Sequence, residues 1–251
     1  MTRGLLYRCR WSLLKRLGGR SIEARTPWGG RLRLDFANLS AWQMYFGVYE
    51  QDEVKHIGAC LKPGMLALDI GANLGYFTLL MAHCAGPQGS VHAFEPNPHM
   101  QLRLEQNVAL NPECAARVKI QKCALGGKKG EAEFYCPVNG REGTGGLKDT
   151  GRAPVERVIK VEVVTLDEFV AREGIEKIGF IKMDIEGGEL DVLRGAADTL
   201  ARMRPVILFE AYEENTAPYG YRVYDILSHL EQRGYMVKQA GSGYNFIAVP
   251  R

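Results

Sequence analysis

The chain of 251 residues lacks any apolar run that approaches about 18 residues, the length at which a helix can cross a membrane. It also lacks the continuous apolar segment that follows the basic start of a signal peptide. These two absences disfavour membrane spanning and export, and we expect a cytoplasmic protein. The net charge is also small, because the chain has 32 basic and 29 acidic residues. A balance of +3 does not by itself indicate a surface for nucleic acid.

Cysteine pairs of the C-x-x-C kind are missing, and the six cysteines and five histidines are dispersed along the chain. A chain of this size can bury a full apolar core and does not need disulfides to hold it. Dispersed cysteines and histidines give no support for a zinc site either. The sequence therefore predicts reduced thiols and one α/β domain with additions to it.

Acidic residues are absent from the first twenty residues, which carry six basic ones. Leucine and tryptophan recur in "MTRGLLYRCRWSLLKRLGGR" at roughly helical spacing, which predicts a basic amphipathic helix. Such a helix packs on the main domain or lies on an anionic membrane surface, and the packed helix is the favoured alternative. Residues 1–63 are predicted to form an N-terminal helical extension, or cap, ahead of the main domain at residues 64–251.

Short apolar strands alternate with amphipathic helices from residue 64 onward, a pattern typical of a parallel sheet with helical crossovers. The predicted strands of this sheet are "MLALDI", "SVHAFEP", "VKIQKCAL", "IGFIKMDI" and "RPVILFEAY". "GEAEFYC" and "VIKVEVVTL" predict a hairpin beside the sheet, and "YMVKQA" and "YNFIAVP" around "GSG" predict an antiparallel closing hairpin. Thr165 and Glu168 form a capping box that predicts a short helix ended by Gly174. "GGELDVLRGAADTLARM" predicts one continuous helix.

One long segment, residues 137–157, interrupts this alternation with five glycines and almost no large apolar side chain. An irregular piece of this length inside a domain is either functional or an idle insertion. We predict a flexible inserted loop, with a lid over the acceptor and a solvated insertion as equal alternatives.

A tight turn follows the first of these strands in "LALDIGANLGYFT", where Asp69 precedes Gly71, Asn73 and Gly75. In an open α/β sheet, ligands bind at the carboxyl ends of the strands, and the next helix directs free N–H groups at them. The dinucleotide motif G-x-G-x-x-G would have glycine in place of Asn73. An acid at Asp69 would repel a pyrophosphate, but it suits the positive charge of S-adenosylmethionine. A nicotinamide-dependent oxidoreductase stays open as the alternative.

Two further strand ends carry acids. Glu95 ends the second strand, where a carboxylate can accept hydrogen bonds from both ribose hydroxyls of an adenosyl group. Asp184 and Glu186 follow the strand in "FIKMDIEGGELDVLRG". Acids at the end of a buried strand cost desolvation energy, which predicts a functional role for both. Glu189 is either part of the site or a carboxylate that serves the start of the next helix.

The segments "LDIGANLGYFT", "HAFEPNP" and "FIKMDIEGGELDVLRGA" resemble, in order and spacing, the S-adenosylmethionine-dependent methyltransferases of the FkbM family. The resemblance covers roughly residues 45–212. It implies a Rossmann-like class I methyltransferase fold of the α/β class, with a seven-stranded, mostly parallel sheet, an antiparallel C-terminal hairpin and helices on both faces. The implied cofactor is S-adenosyl-L-methionine. The residues that the resemblance assigns to it are Asp69, Gly71, Asn73 and Gly75 around its methionine part, Thr78 at its carboxylate, Glu95 at its ribose, and Tyr49 and Glu50 as residues that close over it.

The activity implied by the resemblance is transfer of a methyl group to a hydroxyl oxygen of a small metabolite, such as a sugar, a polyketide or a phenol-like acceptor. A base must take the acceptor's proton, and we predict Asp184 and Glu210 as the catalytic residues. As alternatives, Asp184 binds the amino group of the cofactor and Glu210 only anchors its neighbours. A non-catalytic binding protein on the same fold is a further alternative.

Magnesium assists some related sugar O-methyltransferases, and Asp184 and Glu210 could hold it here as an alternative. The clustered Asp-Asp ligands of the metal-dependent enzymes are absent from this sequence, so we predict no metal. The Asn/Asp-Pro-Pro-aromatic turn of base N-methyltransferases is absent too, and nucleic acid is not an expected partner. The expected partner is a small-molecule acceptor. A homodimer and contact of the basic N-terminal segment with a membrane surface are left open.

Overall fold

The structure, a computed structural model, describes residues 3–17, 20–241 and 243–251. In chain order its elements are α1 (Arg3–Leu17), β1 (Ser21–Arg25), β2 (Arg31–Asp35), α2 (Ala41–Tyr45), α3 (Gln51–Cys60), β3 (Leu66–Ile70), α4 (Tyr76–Ala85), β4 (Ser90–Phe94), α5 (Pro98–Ala109), α6 (Pro112–Ala115), β5 (Val118–Gln121), β6 (Ala124–Leu125), β7 (Gly130–Pro137), β8 (Val155–Val164), α7 (Leu166–Glu173), β9 (Phe180–Met183), α8 (Glu189–Arg194), α9 (Ala197–Met203), β10 (Val206–Glu210), α10 (Glu213–Thr216), α11 (Val223–Gln232), β11 (Tyr235–Gln239) and β12 (Asn245–Pro250). Short 3-10 helices span Glu142–Thr144 and Ala217–Tyr219.

The central sheet has seven strands in the order β11-β12-β10-β9-β3-β4-β5. Neighbours from β10 to β5 are parallel, while β12 is antiparallel to both β10 and β11. The inner strands are buried along nearly their whole length because helices cover both faces of the sheet. This arrangement confirms the predicted α/β fold and its antiparallel C-terminal hairpin. Ser242, in the predicted turn of that hairpin, lies outside the described residues.

Each face of the sheet has its own apolar core. On one face, α3, α4, α5 and the β1–β2 hairpin pack against side chains such as Ala67 and Phe180. On the other, α7, α8, α9 and α11 pack against Leu68 and Ile181. Neighbouring residues of one strand enter different cores because successive side chains of a strand point to opposite faces.

The segment ahead of β3 joins the first of these cores. Trp11 of α1 is buried against Phe36 and Tyr45, so the basic helix packs on the domain along this side. Residues 1, 2, 18 and 19 of the predicted helix lie outside the described residues. The segment also contains the β1–β2 hairpin and is therefore not helical throughout. Among the described residues, the structure shows no helix with the length and apolar character needed to span a membrane.

Two predicted elements are each divided in the structure. The predicted helix over residues 187–203 is interrupted between α8 and α9, because Gly195 lies so close to the Gly126 carbonyl that a side chain would overlap it. The Gly195 carbonyl also accepts a hydrogen bond from the Asp167 N–H instead of continuing one helix. The predicted strand "VKIQKCAL" is divided between β5 of the central sheet and β6 of a second sheet.

The second sheet has the order β6-β8-β7, and β7 and β8 form the predicted antiparallel hairpin. The chain between these two strands, residues 138–154, is the middle of the predicted inserted loop and is called the connecting loop below. The capping box of Thr165 and Glu168 is present at the start of α7, which ends at Gly174 as predicted.

Candidate active site

The acids singled out in the sequence meet at one edge of the central sheet. Asp69 lies in β3, Glu95 directly follows β4, Asp184 directly follows β9, and Glu210 ends β10. These strands are parallel neighbours, so their carboxyl ends form a common edge. The topology therefore places all four acids where a ligand of an α/β sheet binds.

The glycine turn after β3 lies against the end of β9. Gly71 and Gly75 have φ of 88° and 95°, and Asn73 has φ of 51°, so the turn needs residues that tolerate the left-handed region. A side chain at Gly71 would overlap the backbone carbonyl of Asp184. Gly75 is the left-handed residue directly ahead of α4, which begins at Tyr76.

Glu95 is a buried carboxylate that organises the neighbouring turns. It is only 5% exposed, and its two oxygens accept hydrogen bonds from the backbone N–H groups of Asn73 and Asn97, both at 2.8 Å. Burial raises the pKa of Glu95 to about 7, although the two backbone donors lower it. Each carboxylate oxygen has more than one lone pair, so the group can still accept hydrogen bonds from a ligand.

A first cavity, with about 580 Å³ of space that includes open solvent, lies beside Glu95. Its walls are mostly apolar, and the apolar side chains that line it include Phe94, Leu125 and Phe134. Apolar walls with a few carboxylates, here those of Glu95, Glu142 and Asp184, are the composition expected for a site that binds a flat aromatic group with polar substituents.

Asp69 lies beneath the turn and holds Thr78. Asp69 is fully buried, and its Oδ2 accepts a hydrogen bond of 2.5 Å from the Thr78 hydroxyl, which is fully buried too. Asp69 Oδ1 is buried and has no partner among the described residues. Asp69, Gly75 and Thr78 are absent from the lining of the first cavity and of the larger cavity described next. The structure therefore places these three in the layer that supports the turn.

A second cavity, with about 1060 Å³ of space that includes open solvent, adjoins the first. The two cavities share Gly71, Asn73, Gly143 and Asp184 in their linings. The structure also brings Tyr49 and Glu50 to the second cavity, in the turn between α2 and α3. The Tyr49 ring packs against the Tyr76 and Phe77 rings, with centroid distances of 5.1 and 6.0 Å.

Three acids line the second cavity close together. Single carboxylate oxygens of Asp184, Glu186 and Glu210 all lie within 4.8 Å of one another. Burial and the charges of Asp184 and Glu186 raise the pKa of Glu210 to about 9, and burial with the charge of Asp184 raises the pKa of Glu186 to about 7. Glu210 is therefore a neutral carboxylic acid near pH 7, able to donate a hydrogen bond.

Two cations balance the other two acids. The Lys182 ammonium lies 3.1 Å from Asp184 Oδ2, and the Arg152 guanidinium forms an ion pair with Glu186. Arg152 also lies over the Tyr212 ring, 4.9 Å from its centroid. We did not predict a role for Lys182 from the sequence. The available signal is a lone charged residue within the apolar strand "FIKM", two positions before Asp184 and hence on the same face.

The turn after β9 is held by Glu189. Its Oε1 accepts hydrogen bonds from the backbone N–H groups of Ile185 and Gly187, at 3.3 and 3.2 Å. Glu186 and Gly187 in this turn have φ of 62° and 111°. Glu189 is 1% exposed and is absent from the linings of both cavities. It therefore serves the turn at the helix start, the second of the two alternatives.

We expect the acid cluster to work without a divalent metal ion. Lys182 and Arg152 already compensate Asp184 and Glu186, and Glu210 is neutral, so little unbalanced charge is left to attract Mg²⁺. Calorimetric titration of the protein with MgCl₂, with S-adenosylhomocysteine present, should show no stoichiometric binding, and EDTA should leave the activity unchanged. Binding of one Mg²⁺ per chain, lost in Glu210→Gln, would contradict this prediction.

Comparison with known proteins identifies the type of site. The family model described as the methyltransferase FkbM domain matches residues 69–237, about two thirds of the chain. The chain belongs to the FkbM methyltransferase family. The match confirms the resemblance seen in the motifs and sets aside the nicotinamide-dependent alternative. The matched domain is that of a methyltransferase family that uses S-adenosylmethionine.

Individual FkbM relatives agree with this result. The chain is 32% identical over 182 residues to the 31-O-demethyl-FK506 methyltransferase FkbM of Streptomyces tacrolimicus. The matched region covers 60% of this chain and 66% of that protein. The chain is 28% identical over 156 residues to the 2-O-methyltransferase NoeI of Sinorhizobium fredii, with 57% and 62% covered. The chain thus spans less than two thirds of the length of either relative. An FkbM methyltransferase structure from Methylobacillus flagellatus aligns with a TM-score of 0.52 and 15% identity, covers 98% of this chain and 59% of that one, and supports the fold.

The residues around the two cavities fit S-adenosylmethionine. The apolar walls of the first cavity suit an adenine ring, and the Glu95 carboxylate beside them suits its ribose. The backbone of Gly71 and Asn73, which lines both cavities, suits the methionine part of the cofactor. Asp69 Oδ1, which has no partner among the described residues, is a further buried hydrogen-bond acceptor beneath the glycine turn after β3.

Proposed function

We propose that this FkbM methyltransferase transfers a methyl group to a hydroxyl oxygen of a small-molecule acceptor, with Asp184 as the base that takes the hydroxyl proton. The observation that carries the proposal is the position of Asp184 at the junction of the two cavities. At this junction a donor in the first cavity and an acceptor in the second would meet beside a charged carboxylate.

The cofactor is assigned to the residues that line both cavities. Glu95 receives the ribose hydroxyls, and the backbone of Gly71 and Asn73 lies along the methionine part. Tyr49 and Glu50 close the opposite wall. Asp69, Gly75 and Thr78 act on the cofactor through the shape of the turn that they support.

The reaction needs alignment and one proton transfer. Bound S-adenosylmethionine supplies an electrophilic methyl group, whose bond to sulfur breaks with its electron pair left on sulfur. The acceptor's hydroxyl oxygen forms the new bond to the methyl carbon, and its proton passes to the carboxylate of Asp184. Glu210, as a neutral acid, donates a hydrogen bond at the same edge and orients the acceptor or Asp184.

The names of relatives support oxygen as the methylated atom and a polar metabolite as the acceptor. Two relatives are named as O-methyltransferases. A third, 25% identical over 159 residues, is named as the hexuronic acid methyltransferase AglP of Haloferax volcanii. The lining of the second cavity, with its acids and the basic residues Arg141, Arg152 and Lys182, suits an acceptor with several hydroxyl groups.

The test is a screen of acceptors with isotopically labelled S-adenosylmethionine and detection by mass spectrometry. The panel contains simple glycosides, uronic acid glycosides, aliphatic alcohols, phenols and matched amines. We expect gain of one labelled methyl group on a hydroxyl acceptor, with the label retained on oxygen. Methylation of the amines alone, or of none of the hydroxyl compounds, would count against the proposal.

Arg152 is expected to hold the connecting loop over the acceptor cavity, as in the lid hypothesis. In Arg152→Gln, the loss of one ion pair to a buried carboxylate, worth about 1–2 kcal/mol, should raise the KM for the acceptor by roughly tenfold and change kcat less. Backbone amides of residues 138–154 should exchange hydrogen faster. Lys148→Gln, at an exposed position of the same loop, is the control. An unchanged KM and unchanged exchange in Arg152→Gln would refute the lid.

A further inference from the structure

Lys182 is a charged residue in the middle of a buried strand. It is 5% exposed, while Phe180, Ile181 and Met183 of the same strand are 3% exposed or less. In the parallel pairing of β3 with β9, Lys182 lies opposite Asp69. Residues two apart on a strand share a face, so Asp184 continues on the same side. The lysine thus lies between an acid of the cofactor-binding strand and the acid at the cavity junction.

The surroundings keep this lysine charged. Burial lowers the pKa of Lys182, but the carboxylates of Asp184, Asp69 and Glu210 raise it and outweigh burial. Nζ lies 4.6 Å from the centroid of the Phe77 ring and 3.1 Å from Asp184 Oδ2. Among the described residues, the Asp184 carboxylate is the hydrogen-bond partner that the structure gives to this ammonium.

A buried ammonium is costly to the fold. Removing a charge from water costs several kcal/mol, and an apolar side chain of similar volume at such a position is often neutral or stabilising. Methionine would fit the apolar strand and the Phe77 ring without that cost. Lys182 nevertheless places an ammonium group on the wall of the second cavity, which indicates a role in the reaction.

We propose that Lys182 is a positioning residue that holds one oxygen of Asp184, so that the other oxygen is directed at the acceptor's proton. The inference rests on the proposed function of Asp184. The ammonium occupies Oδ2, which leaves Oδ1 for the acceptor. The proton from the acceptor then passes to Asp184, whose neighbour Glu210 is neutral.

Other charged and titratable groups also face this pair from the surrounding elements. They are Asp69 from β3, Glu210 from β10, Tyr49 and Glu50 from the turn ahead of α3, Glu53 from α3, Glu186 from the turn after β9, and Arg152 from the connecting loop. Removal of the ammonium leaves mostly acids around Asp184. Without Lys182 the Asp184 carboxylate would therefore lack the cation that compensates it.

The first test compares Lys182→Met and Lys182→Gln with Lys182→Arg, using the best alcohol and the best readily ionised phenol from the acceptor screen. In the two uncharged variants, kcat for the alcohol should fall by about 10²–10³-fold, within the range of general base catalysis. The acid limb of the pH–rate profile should move to higher pH. The ionised phenol needs no base and should lose much less. Lys182→Arg should recover part of the alcohol rate, and the exposed Lys177→Met is the control.

Affinity for S-adenosylhomocysteine, measured by calorimetry, should stay near the wild-type value in all these variants. An equal loss for alcohol and phenol at every pH would show a merely structural role and overturn the inference. Failure of all three Lys182 variants to fold would do the same, because it would assign the ammonium to stability.

A double-mutant cycle separates this inference from the proposed function. If Lys182 acts through Asp184, Lys182→Met should cause no further loss in an Asp184→Asn background. Additive losses would overturn the role of Lys182 and leave Asp184 as the base. Full activity of Asp184→Asn alone would instead refute the proposed function of Asp184.

Discussion

Asp184→Asn is expected to lower kcat for hydroxyl acceptors by about 10²–10⁴-fold, the usual contribution of a positioned general base. The amide nearly preserves the size of the side chain but cannot take a proton. Asp184 lies at the junction of the two cavities and is ion-paired with Lys182, so the loss should appear in turnover. Steady-state kinetics and calorimetry with S-adenosylhomocysteine should show a low kcat with cofactor affinity retained.

The control for this variant is Asp191→Asn. Asp191 lies in α8, where it pairs with Arg194 at the surface, so its loss should leave kcat unchanged. Glu210 offers a further comparison, because Gln can still donate a hydrogen bond and Ala cannot. Glu210→Gln should therefore be more active than Glu210→Ala, and both should bind the cofactor. Near-normal turnover by Asp184→Asn would show that another group takes the proton.

The fold could be predicted where it depends on neighbouring residues in the chain. The alternation of apolar strands and helices indicated a parallel sheet, and the Thr165–Glu168 capping box marked the start of α7. The interruption between α8 and α9 could not be predicted, because it arises where Gly195 packs against Gly126, nearly seventy positions away in the chain. The division of β5 from β6 likewise depends on pairing with β8.

The edge of the sheet that carries the site was predictable, because parallel strands bring their carboxyl ends together. The partners of the acids were not. Arg152 is in the connecting loop, far in sequence from Glu186, and only the folded chain brings the two together. Lys182 was missed because a lone lysine in an apolar strand marks the position but does not name its partners. Those partners, Asp69 on the neighbouring strand and Asp184 two residues later, become evident only in the folded chain.

The resemblance to a family assigned contacts that the structure refines. Thr78 was implied to reach the cofactor carboxylate, but in the structure its hydroxyl donates to Asp69, and neither side chain lines a cavity. The sequence spacing in "DIGANLGYFT" is compatible with both arrangements. A side chain's hydrogen-bond partner depends on the path of the turn, which the left-handed residues Gly71, Asn73 and Gly75 determine.

Glu95→Gln is expected to weaken cofactor binding by about 10-fold to 150-fold, because it removes charge-assisted hydrogen bonds worth about 1.5–3 kcal/mol. The carboxylate accepts from the N–H groups of Asn73 and Asn97 at once. The amide of Gln has one oxygen, so its NH₂ group would face one of these donors and disturb the turn. Calorimetry with S-adenosylhomocysteine measures the loss. The control is Glu105→Gln. Glu105 lies on α5, and its substitution removes only a surface ion pair with Lys122.

The pH dependence of the Kd for a nucleoside distinguishes a direct contact of Glu95 with the ribose from general damage to the turn. Burial raises the pKa of Glu95 to about 7, and ribose hydroxyls donate to its ionised form. In wild type the Kd for adenosine, which has no titrating group of its own near neutrality, should therefore rise as pH falls below about 7 and level off above it. In Glu95→Gln the Kd should be high at every pH. 2′-Deoxyadenosine, with one hydroxyl fewer, should show a smaller dependence, and an equal dependence for both nucleosides would place the titrating group away from the ribose.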